Sequence, residues 1–437
     1  MLIRRPLLCI APAAIVGLAV AFLTWFQQIG PDGLYLQDFV EYWAAGHLNI
    51  SGQNPYDSQL MFNVEQEVRP YLGQPIMMWN PPWTLTLAMP LGLLPCYWAH
   101  FAWLILSLTI LLVGADFLWR FYGGILRYRG IAWFIAISFT PTLLVLEMGQ
   151  ITPLVLLGLI GFLFFERQGR DYQLNRNEGF RFTPTPGSET VDLASIKPKP
   201  TMHLADWLAG ASLALVAIKP HLVYLVGLAI LVWIVDRRRW SILWGAGTTL
   251  LVATIIPLAC NPAVLEQYWF SLTHRPPDQF YSPTIGTFLR LLLGPEKFWL
   301  QFVPVVLGLG WFAWYWLRRR GTWQWSEQLP VLLLASYLTS SYGTWPFDFV
   351  VMLIPLIVMA VRVVGQPQVG TVVYAGLSFL CFDLLASWQR TFSYERHHLS
   401  IWMTPMLILM YMTLAKAPPG QNWQARTNAQ SEDGKLS

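Results

Sequence analysis

The sequence has 437 residues, of which 55% are hydrophobic and only 12% are charged, against about 25% charged residues in an average soluble domain. This composition excludes a soluble enzyme and is typical of a helical protein that crosses a membrane many times. The 28 Lys and Arg residues and the 24 Asp and Glu residues leave a net charge of only +4. We therefore expect no nucleic-acid partner, which would require a dense basic patch.

Sequence motifs for metal or nucleotide chemistry are absent. The four cysteines lie far apart with no C-x-x-C spacing, which predicts neither a disulfide framework nor a zinc site. The sequence also has no P-loop, no G-x-G-x-x-G, no H-E-x-x-H and no G-x-S-x-G motif. We expect no cofactor and no metal.

Apolar stretches of about 15 to 22 residues can each cross a hydrocarbon core of about 30 Å as a helix. About twelve such stretches predict an all-α polytopic membrane domain over residues 1–418, followed by a disordered cytoplasmic tail at 419–437. The first stretch lacks an A-x-A site and is too long for a signal-peptide core, so an uncleaved span is favoured over a signal peptide. The predicted spans are 7–29, 97–118, 131–147, 151–165, 204–219, 220–235, 241–259, 297–317, 326–341, 346–364, 368–388 and 399–415.

The distribution of basic residues predicts the orientation, because Lys and Arg accumulate in short cytoplasmic loops. With Arg4 and Arg5 in the cytoplasm, the alternation of spans places the other basic clusters on the same side. Two short apolar segments, 81–95 and 283–293, are ambiguous between a full span and a re-entrant or interfacial helix, and we favour the second. The other cytoplasmic basic residues are Arg120, Arg127, Arg129, Arg237, Arg238, Arg239, Arg318, Arg319, Arg320 and Lys416.

Three segments are long enough to matter outside the bilayer. Residues 30–80 form a first extracytoplasmic loop with helical patterns at 38–48 and 58–68. Residues 166–203 carry both charge signs and several prolines, which predicts a flexible cytoplasmic loop. Residues 261–297 form another extracytoplasmic loop.

The first loop places acidic groups directly after a predicted membrane exit. On a helix, Asp38, Glu41 and Tyr42 share one face, because positions i, i+3 and i+4 lie above one another. Three apolar side chains, Phe39, Val40 and Trp43, can lie in the membrane interface. This pattern would hold a carboxylate at the bilayer surface. Alternatively, Asp38 only caps the N-terminus of the helix.

Two further groups of polar residues are candidates for binding. Asn54, Tyr56 and Asn80 belong to turn sequences that either contribute to a site or only fix the chain direction. Lys219 is unusual in a short outer loop, so it requires an anionic partner, either a phosphate or a carboxylate such as Glu147, unless it extends to the interface.

The remaining candidates are mostly basic residues of the outer loops. His274, Arg275 and Arg290 in one loop, and Arg390, Arg396, His397 and His398 near the last span, either bind a negatively charged ligand or are neutralised by neighbouring acids. Asp348 lies in the remaining outer turn. The complete set of predicted binding residues is Glu41, Tyr42, Asn54, Tyr56, Asn80, Gln150, Lys219, His221, His274, Arg275 and Asp348.

The order of several short motifs resembles glycosyltransferase family 87, whose members are membrane enzymes of the GT-C fold. The resemblance is carried by Asp38-x-x-x-Tyr42-Trp43-Ala44-Ala45-Gly46, Asn54-Pro55-Tyr56-Asp57, Asn80-Pro81-Pro82, Gly149-Gln150 and Lys219-Pro220, and it covers roughly residues 7–365.

The resemblance implies a specific chemistry. Asp38 matches the catalytic aspartate, and Lys219 with Pro220 matches part of the lipid-phosphate region. The family implies a membrane lipid donor, a polyprenyl-phosphate-linked sugar such as mannose, and a glycan or glycolipid acceptor. We expect an inverting hexosyltransferase in the cell membrane with an extracytoplasmic active site and Asp38 as general base. A multi-helix transporter or flippase is the alternative function, and a lipid-linked oligosaccharide ligase or polymerase is a third.

Overall fold

The computed structural model describes residues 38–70, 72–178, 201–274, 281–392 and 397–415. These residues form 17 α-helices and contain no β-strand, which confirms the predicted all-α class. In chain order, helices α1 to α17 are Phe39–Ile50, Ser58–Val68, Leu85–Gly92, Cys96–Phe121, Gly130–Ser138, Thr140–Met148, Thr152–Glu178, Thr201–Val216, Tyr224–Arg237, Trp240–Cys260, Val264–His274, Ile285–Leu293, Val303–Arg319, Trp325–Thr339, Leu353–Gly365, Val369–Phe392 and Met403–Leu414.

Short 3₁₀ helices precede or follow several of these elements. They are Pro82–Thr84, Leu126–Tyr128, Pro220–Val223, Phe298–Phe302, Arg320–Thr322, Pro346–Met352 and His397–Trp402.

Within the described part of the chain, six helices are long and apolar enough to cross a membrane, or seven if one bent pair counts as a single span. The chain is thus a membrane-embedded protein, but the prediction of about twelve spans is not confirmed. The predicted span 7–29 lies outside the described residues. The six are Cys96–Phe121, Pro220–Arg237, Trp240–Cys260, Phe298–Thr322, Pro346–Gly365 and Val369–Arg390.

The predicted continuous span 131–147 is instead the bent pair α5 and α6, whose axes differ by 54°. The break falls at Phe139, whose backbone is extended, and Pro141 lies in the first turn of α6, where it lacks a donor to continue the previous helix. Asp383 of α16 replaces the missing acceptor, because its Oδ1 accepts a hydrogen bond from Thr140 N at 2.7 Å. The bend directs the end of α6 toward Asp38.

Helix α1 is buried inside the protein rather than lying at the membrane interface. Phe39 and Val40 have no exposed surface, and Trp43 is only 7% exposed. The interfacial placement of these side chains was therefore wrong, because other elements surround α1 and leave only His47 exposed. Gly46 allows close contact with α3, since a Cβ there would lie 2.3 Å from Ala88 O.

Helix α3 has only eight residues, about 12 Å at 1.5 Å per residue. It is too short to cross a membrane, in agreement with the treatment of 81–95 as less than a full span. Helix α12, with nine residues, is equally short.

The expected flexible loop 166–203 begins too early, because α7 continues to Glu178 and α8 starts at Thr201. Glu166 is buried and lies 3.5 Å from Arg239 Nη1, and Asp206 of α8 also pairs with Arg239. These charges join α7, α8 and the turn before α10. Residues 179–200 and the tail 419–437 lie outside the described residues.

The basic loops meet at one end of the helical bundle. Arg167 donates to Phe121 O at 3.2 Å, and Arg237 donates to Arg320 O at 3.0 Å. Because Lys219 lies at the other end of α9 from Arg237, the predicted outer polar residues occupy the opposite end of the bundle.

Candidate active site

Four segments far apart in the sequence meet at that opposite end. Asp38 immediately precedes α1. Gln150 lies in the turn between α6 and α7, and Thr152 is the first residue of α7. Lys219 precedes the 3₁₀ helix Pro220–Val223, and Asp348 lies in the 3₁₀ helix Pro346–Met352. The site is therefore assembled by tertiary packing.

Gly149 positions Gln150 beside Asp38. Gly149 has φ +66, and a Cβ at this position would lie 2.5 Å from Phe39 Cβ, so only glycine fits without strain. Asp38 N donates to Met148 O at 3.1 Å, and Trp103 Nε1 donates to Gly149 O at 2.8 Å. The turn and the start of α1 are thus fixed against each other.

Gln150 connects the candidate base to the buried lysine. Its Nε2 donates to Asp38 Oδ2 at 2.5 Å, and its Oε1 accepts from Tyr42 Oη at 3.0 Å and from Lys219 Nζ at 2.7 Å. Because both the NH₂ group and the oxygen of the amide form hydrogen bonds, the side chain of Gln150 has one defined orientation.

Lys219 is 8% exposed and uses all three of its ammonium protons within the protein. In addition to Gln150, its Nζ donates to Thr152 Oγ1 at 3.1 Å and to Asp348 Oδ1 at 2.9 Å. The expected anionic partner of Lys219 is therefore the carboxylate of Asp348. Glu147, the carboxylate considered from the sequence, pairs instead with Arg390 at 2.5 Å.

Asp348 is completely buried and is held at both carboxylate oxygens. Thr152 Oγ1 donates to its Oδ1 at 2.8 Å, and Trp345 N donates to its Oδ2 at 3.2 Å. Tyr337 Oη donates to its backbone oxygen at 2.7 Å. The bonds to the two carboxylate oxygens, together with the ammonium group of Lys219, satisfy the charge of Asp348, as a buried carboxylate requires.

Asp38 does not serve as a side-chain helix cap. It occupies the N-cap position of α1, but its carboxylate makes no capping hydrogen bond. Gln150 holds Oδ2, while no described residue donates to Oδ1. Burial raises the pKa of Asp38 above the ordinary 3.8, against the opposing effects of Gln150 and Lys219. The carboxylate is thus oriented through Oδ2, and its Oδ1 makes no hydrogen bond to any described residue.

Glu41 and Arg69 add charges near Asp38. Glu41 is buried, and both its burial and the neighbouring negative charge of Asp38 raise its pKa well above 4.5. Arg69, at the end of α2, is close enough that its positive charge lowers the pKa of Asp38. Arg69 and Thr152 were not among the predicted residues, because neither belongs to a sequence motif.

Hydrogen bonds fix the chain direction at three predicted residues, Asn54, Tyr56 and Asn80. This is one of the two alternatives that their turn sequences allow. Asn54 Oδ1 accepts from Tyr56 N at 2.9 Å, and Tyr56 Oη donates to Asn80 O at 3.2 Å. Asn80 Nδ2 donates to Ile218 O at 3.3 Å. The first loop is thereby attached to the residue that precedes Lys219.

The remaining predicted residues are not all brought to this site. His221 lies against the loop before Asp348, where a Cβ on Gly343 would lie 2.6 Å from its Nε2. His274 stacks on Phe270 with ring centroids 4.1 Å apart and does not join the network. Arg290 donates to Pro295 O at 3.2 Å and is buried. Arg275 lies outside the described residues.

The fold and the site define a polytopic membrane protein in which a network of charged and polar side chains joins Asp38, Gln150, Lys219 and Asp348. A family model described as glycosyltransferase family 87 matches residues 79–341, more than half of the chain. The chain belongs to this glycosyltransferase family. The matched segment contains Gln150 and Lys219 and begins after Asp38. No curated protein and no solved structure matches the chain.

Proposed function

We propose that this glycosyltransferase moves a hexose, specifically mannose, from a polyprenyl-phosphate donor to a hydroxyl of a lipid- or glycan-linked acceptor. The reaction takes place on the extracytoplasmic face, in a fold of the GT-C type. The observation that carries the proposal is the carboxylate of Asp38, which Gln150 orients through Oδ2 while Oδ1 has no donor among the described residues.

In this reaction Asp38 acts as general base. The acceptor oxygen forms a bond to the anomeric carbon of the sugar as Asp38 takes its proton. The bond from that carbon to the phosphate oxygen breaks, and polyprenyl phosphate leaves with the electron pair. A positioned base contributes about 10²–10⁴-fold, and its raised pKa makes Asp38 a stronger base than an ordinary aspartate. One direct displacement inverts the configuration of the sugar carbon.

The leaving phosphate gains negative charge and requires positive charge nearby. Lys219 commits its protons to Gln150, Thr152 and Asp348, so its role in the proposal is to hold Gln150 and to supply a fixed positive charge behind the carboxylate. Arg69, which ends α2 in the same loop as Asp38, acts on Asp38 and is the cation proposed to approach the phosphate directly. His221 is a second candidate for this contact, as a hydrogen-bond donor.

Incubation of the purified protein with a panel of polyprenyl-phosphate sugars tests the function, with lipid products identified by mass spectrometry. We expect transfer from the mannose donor and release of polyprenyl phosphate in equal amounts. Release of sugar without any elongated acceptor, or counterflow of a labelled solute in proteoliposomes without transfer, would contradict the proposal and favour the transporter alternative.

A further inference from the structure

Helix α16 is the least buried of the six candidate spans. Only 11% of an 18-residue apolar stretch of this helix is buried inside the protein. Three of its side chains, Phe382, Ala386 and Gln389, are buried, and their spacing places them on one face of the helix. The helix follows residues 79–341, the segment that the family model matches, so the match assigns it no part in the reaction.

Two charged side chains attach α16 to α6. Asp383 Oδ1 accepts a hydrogen bond from Thr140 N at 2.7 Å, and Thr140 Oγ1 donates to Asp383 O at 3.2 Å. Two turns later, Arg390 forms an ion pair with Glu147 at 2.5 Å. Seven positions separate the two partners on each helix. The helices therefore run in the same direction and in matching register over about 10 Å, at 1.5 Å per residue.

Both attachments lie where the ends of α6 need them. The first N–H groups of a helix have no acceptor within the helix, and the N-cap residue Phe139 supplies none from its side chain. Asp383 provides an acceptor from another helix, together with the negative charge that a helix N-terminus favours. Glu147 lies in the last turn of α6, where the helix dipole disfavours a carboxylate, and Arg390 offsets its charge.

An aspartate at position 383 is costly, because Val369–Arg390 is one of the candidate spans. Asp383 Oδ2 is buried and has no hydrogen-bond partner among the described residues. Carboxylates inside membrane spans are rare for this reason and mark functional positions. Packing alone is already supplied by Phe382, whose ring stacks on Phe139 with centroids 5.4 Å apart. The carboxyl group of Asp383 adds what apolar packing cannot, a fixed position for the first backbone N–H of α6.

The other end of α6 leads directly to the proposed base. Asp38 N donates to the backbone oxygen of Met148, the last residue of α6, at 3.1 Å. Two residues further on, Gln150 Nε2 donates to Asp38 Oδ2 at 2.5 Å. Helix α6 also packs along the 3₁₀ helix Pro346–Met352, which carries Asp348. Because a helix moves as a rigid element, a shift at the start of α6 displaces the groups that hold the base.

We propose that Asp383 and Arg390 are positioning residues for the sugar transfer, which act through α6 on Gln150 and Asp38. This inference rests on the proposed function and extends the machinery to a helix outside the site. Loss of either attachment lets α6 shift relative to Asp38 and turns the amide of Gln150 away from the carboxylate. Neither residue touches the substrate, so the loss falls on kcat and not on the KM for the donor.

The first test removes the attachment at the start of α6. Asp383→Leu should lower kcat for transfer from polyprenyl-phosphate-mannose about tenfold, because small displacements of a reacting group slow a reaction, and should leave the donor KM unchanged. Asp383→Asn should transfer at nearly the wild-type rate, since its amide oxygen can accept from Thr140 N. Leu384→Ala is the control, because Leu384 is 61% exposed on the same helix. A normal kcat in folded Asp383→Leu would overturn the proposal, as would equal losses in the Asn and Leu variants.

The second test uses the ion pair at the other end of α6 and serves also if Asp383→Leu does not fold. Arg390→Glu places two carboxylates side by side and should lower kcat. The exchanged pair Glu147→Arg/Arg390→Glu restores opposite charges and should recover most of the transfer. An exchanged pair that is as stable as the wild type and recovers no transfer would contradict the positioning role of Arg390.

A double variant tests whether the effect passes through Gln150. Asp383→Leu should add little to the loss that Gln150→Leu causes alone, because residues that act through one another have non-additive effects. Losses that multiply would show that Asp383 and Gln150 act independently, and would overturn the proposed route.

Amide hydrogen exchange separates this inference from the proposed function. Asp383→Leu should speed exchange in peptides covering 38–42 and 148–152 and leave exchange in α2, residues 58–68, unchanged. This response in a protein that transfers no sugar would support the positioning by α16 and contradict the proposed function. Wild-type transfer with unchanged exchange in the variant would support the function and overturn the inference.

Discussion

Gln150 joins Asp38 to Lys219 through the two ends of one amide, donating to Asp38 Oδ2 at 2.5 Å and accepting from Lys219 Nζ at 2.7 Å. The amide therefore sets the orientation of the proposed base. It also gives a buried ammonium its third hydrogen-bond acceptor.

Replacement of Gln150 by Leu should lower kcat for sugar transfer by about 10²-fold, because a base that is misplaced by about 1 Å loses this much. The KM for the donor should change little. Gln53→Leu is the control, since Gln53 is an exposed glutamine in the turn between α1 and α2. An unchanged kcat in folded Gln150→Leu would show that the amide does not position the base.

Lys219→Met should lower the free energy of unfolding by about 3–5 kcal/mol, because it leaves the buried carboxylate of Asp348 without its cation. The double variant Lys219→Met/Asp348→Asn should recover much of this stability and little activity. Thermal unfolding in detergent and transfer rates measure the two effects. Full recovery of transfer in the double variant would remove Lys219 from the positioning of Asp38.

Gly149→Ala should reduce both stability and transfer. The left-handed backbone costs a residue with a side chain about 1–2 kcal/mol, and the new methyl group would collide with Phe39. Gly247→Ala is the control, because a Cβ there meets no atom within 4 Å. If both variants behaved like the wild type, the close contact between the Gly149 turn and α1 would be wrong.

Part of this arrangement could be predicted from the sequence. Local spacing predicted the helical patterns of α1 and α2. Local charge indicated that Lys219 needs an anionic partner and that Asp348 is a candidate site residue. The pairing of Lys219 with Asp348 could not be predicted, because 129 positions separate the two residues. Glu147 is closer to Lys219 in the sequence. The bend within the predicted span 131–147 could not be predicted, because apolar length alone cannot show that Phe139 and Pro141 break a helix.

Glu65 should make the first loop more stable in mild acid. Burial raises the pKa of Glu65 from 4.5 to about 7, and its Oε1 has no hydrogen-bond partner among the described residues. The folded loop therefore binds more protons than the unfolded loop, so this contribution is complete below pH 4.5 and is lost as the pH rises through about 7. Amide exchange of residues 58–76 should be slower at low pH than its intrinsic rate change explains.

Glu65→Gln is the matched variant for that experiment. It keeps a neutral side chain that can accept from Ile76 N, as Glu65 Oε2 does at 3.0 Å. After correction for the intrinsic exchange rate, amide exchange of the first loop should then be equally fast below and above neutral pH. A variant that retained the pH dependence would assign it to another group.

The most direct test of the central claim is the single-turnover rate of mannose transfer by Asp38→Asn. We predict a loss of about 10²–10⁴-fold with normal binding of the polyprenyl-phosphate donor. Asp57→Asn is the control, because Asp57 caps α2 through Gln59 N and Leu60 N and asparagine caps equally well. A folded Asp38→Asn protein that transfers mannose at nearly the wild-type rate would contradict the assignment of Asp38 as the base.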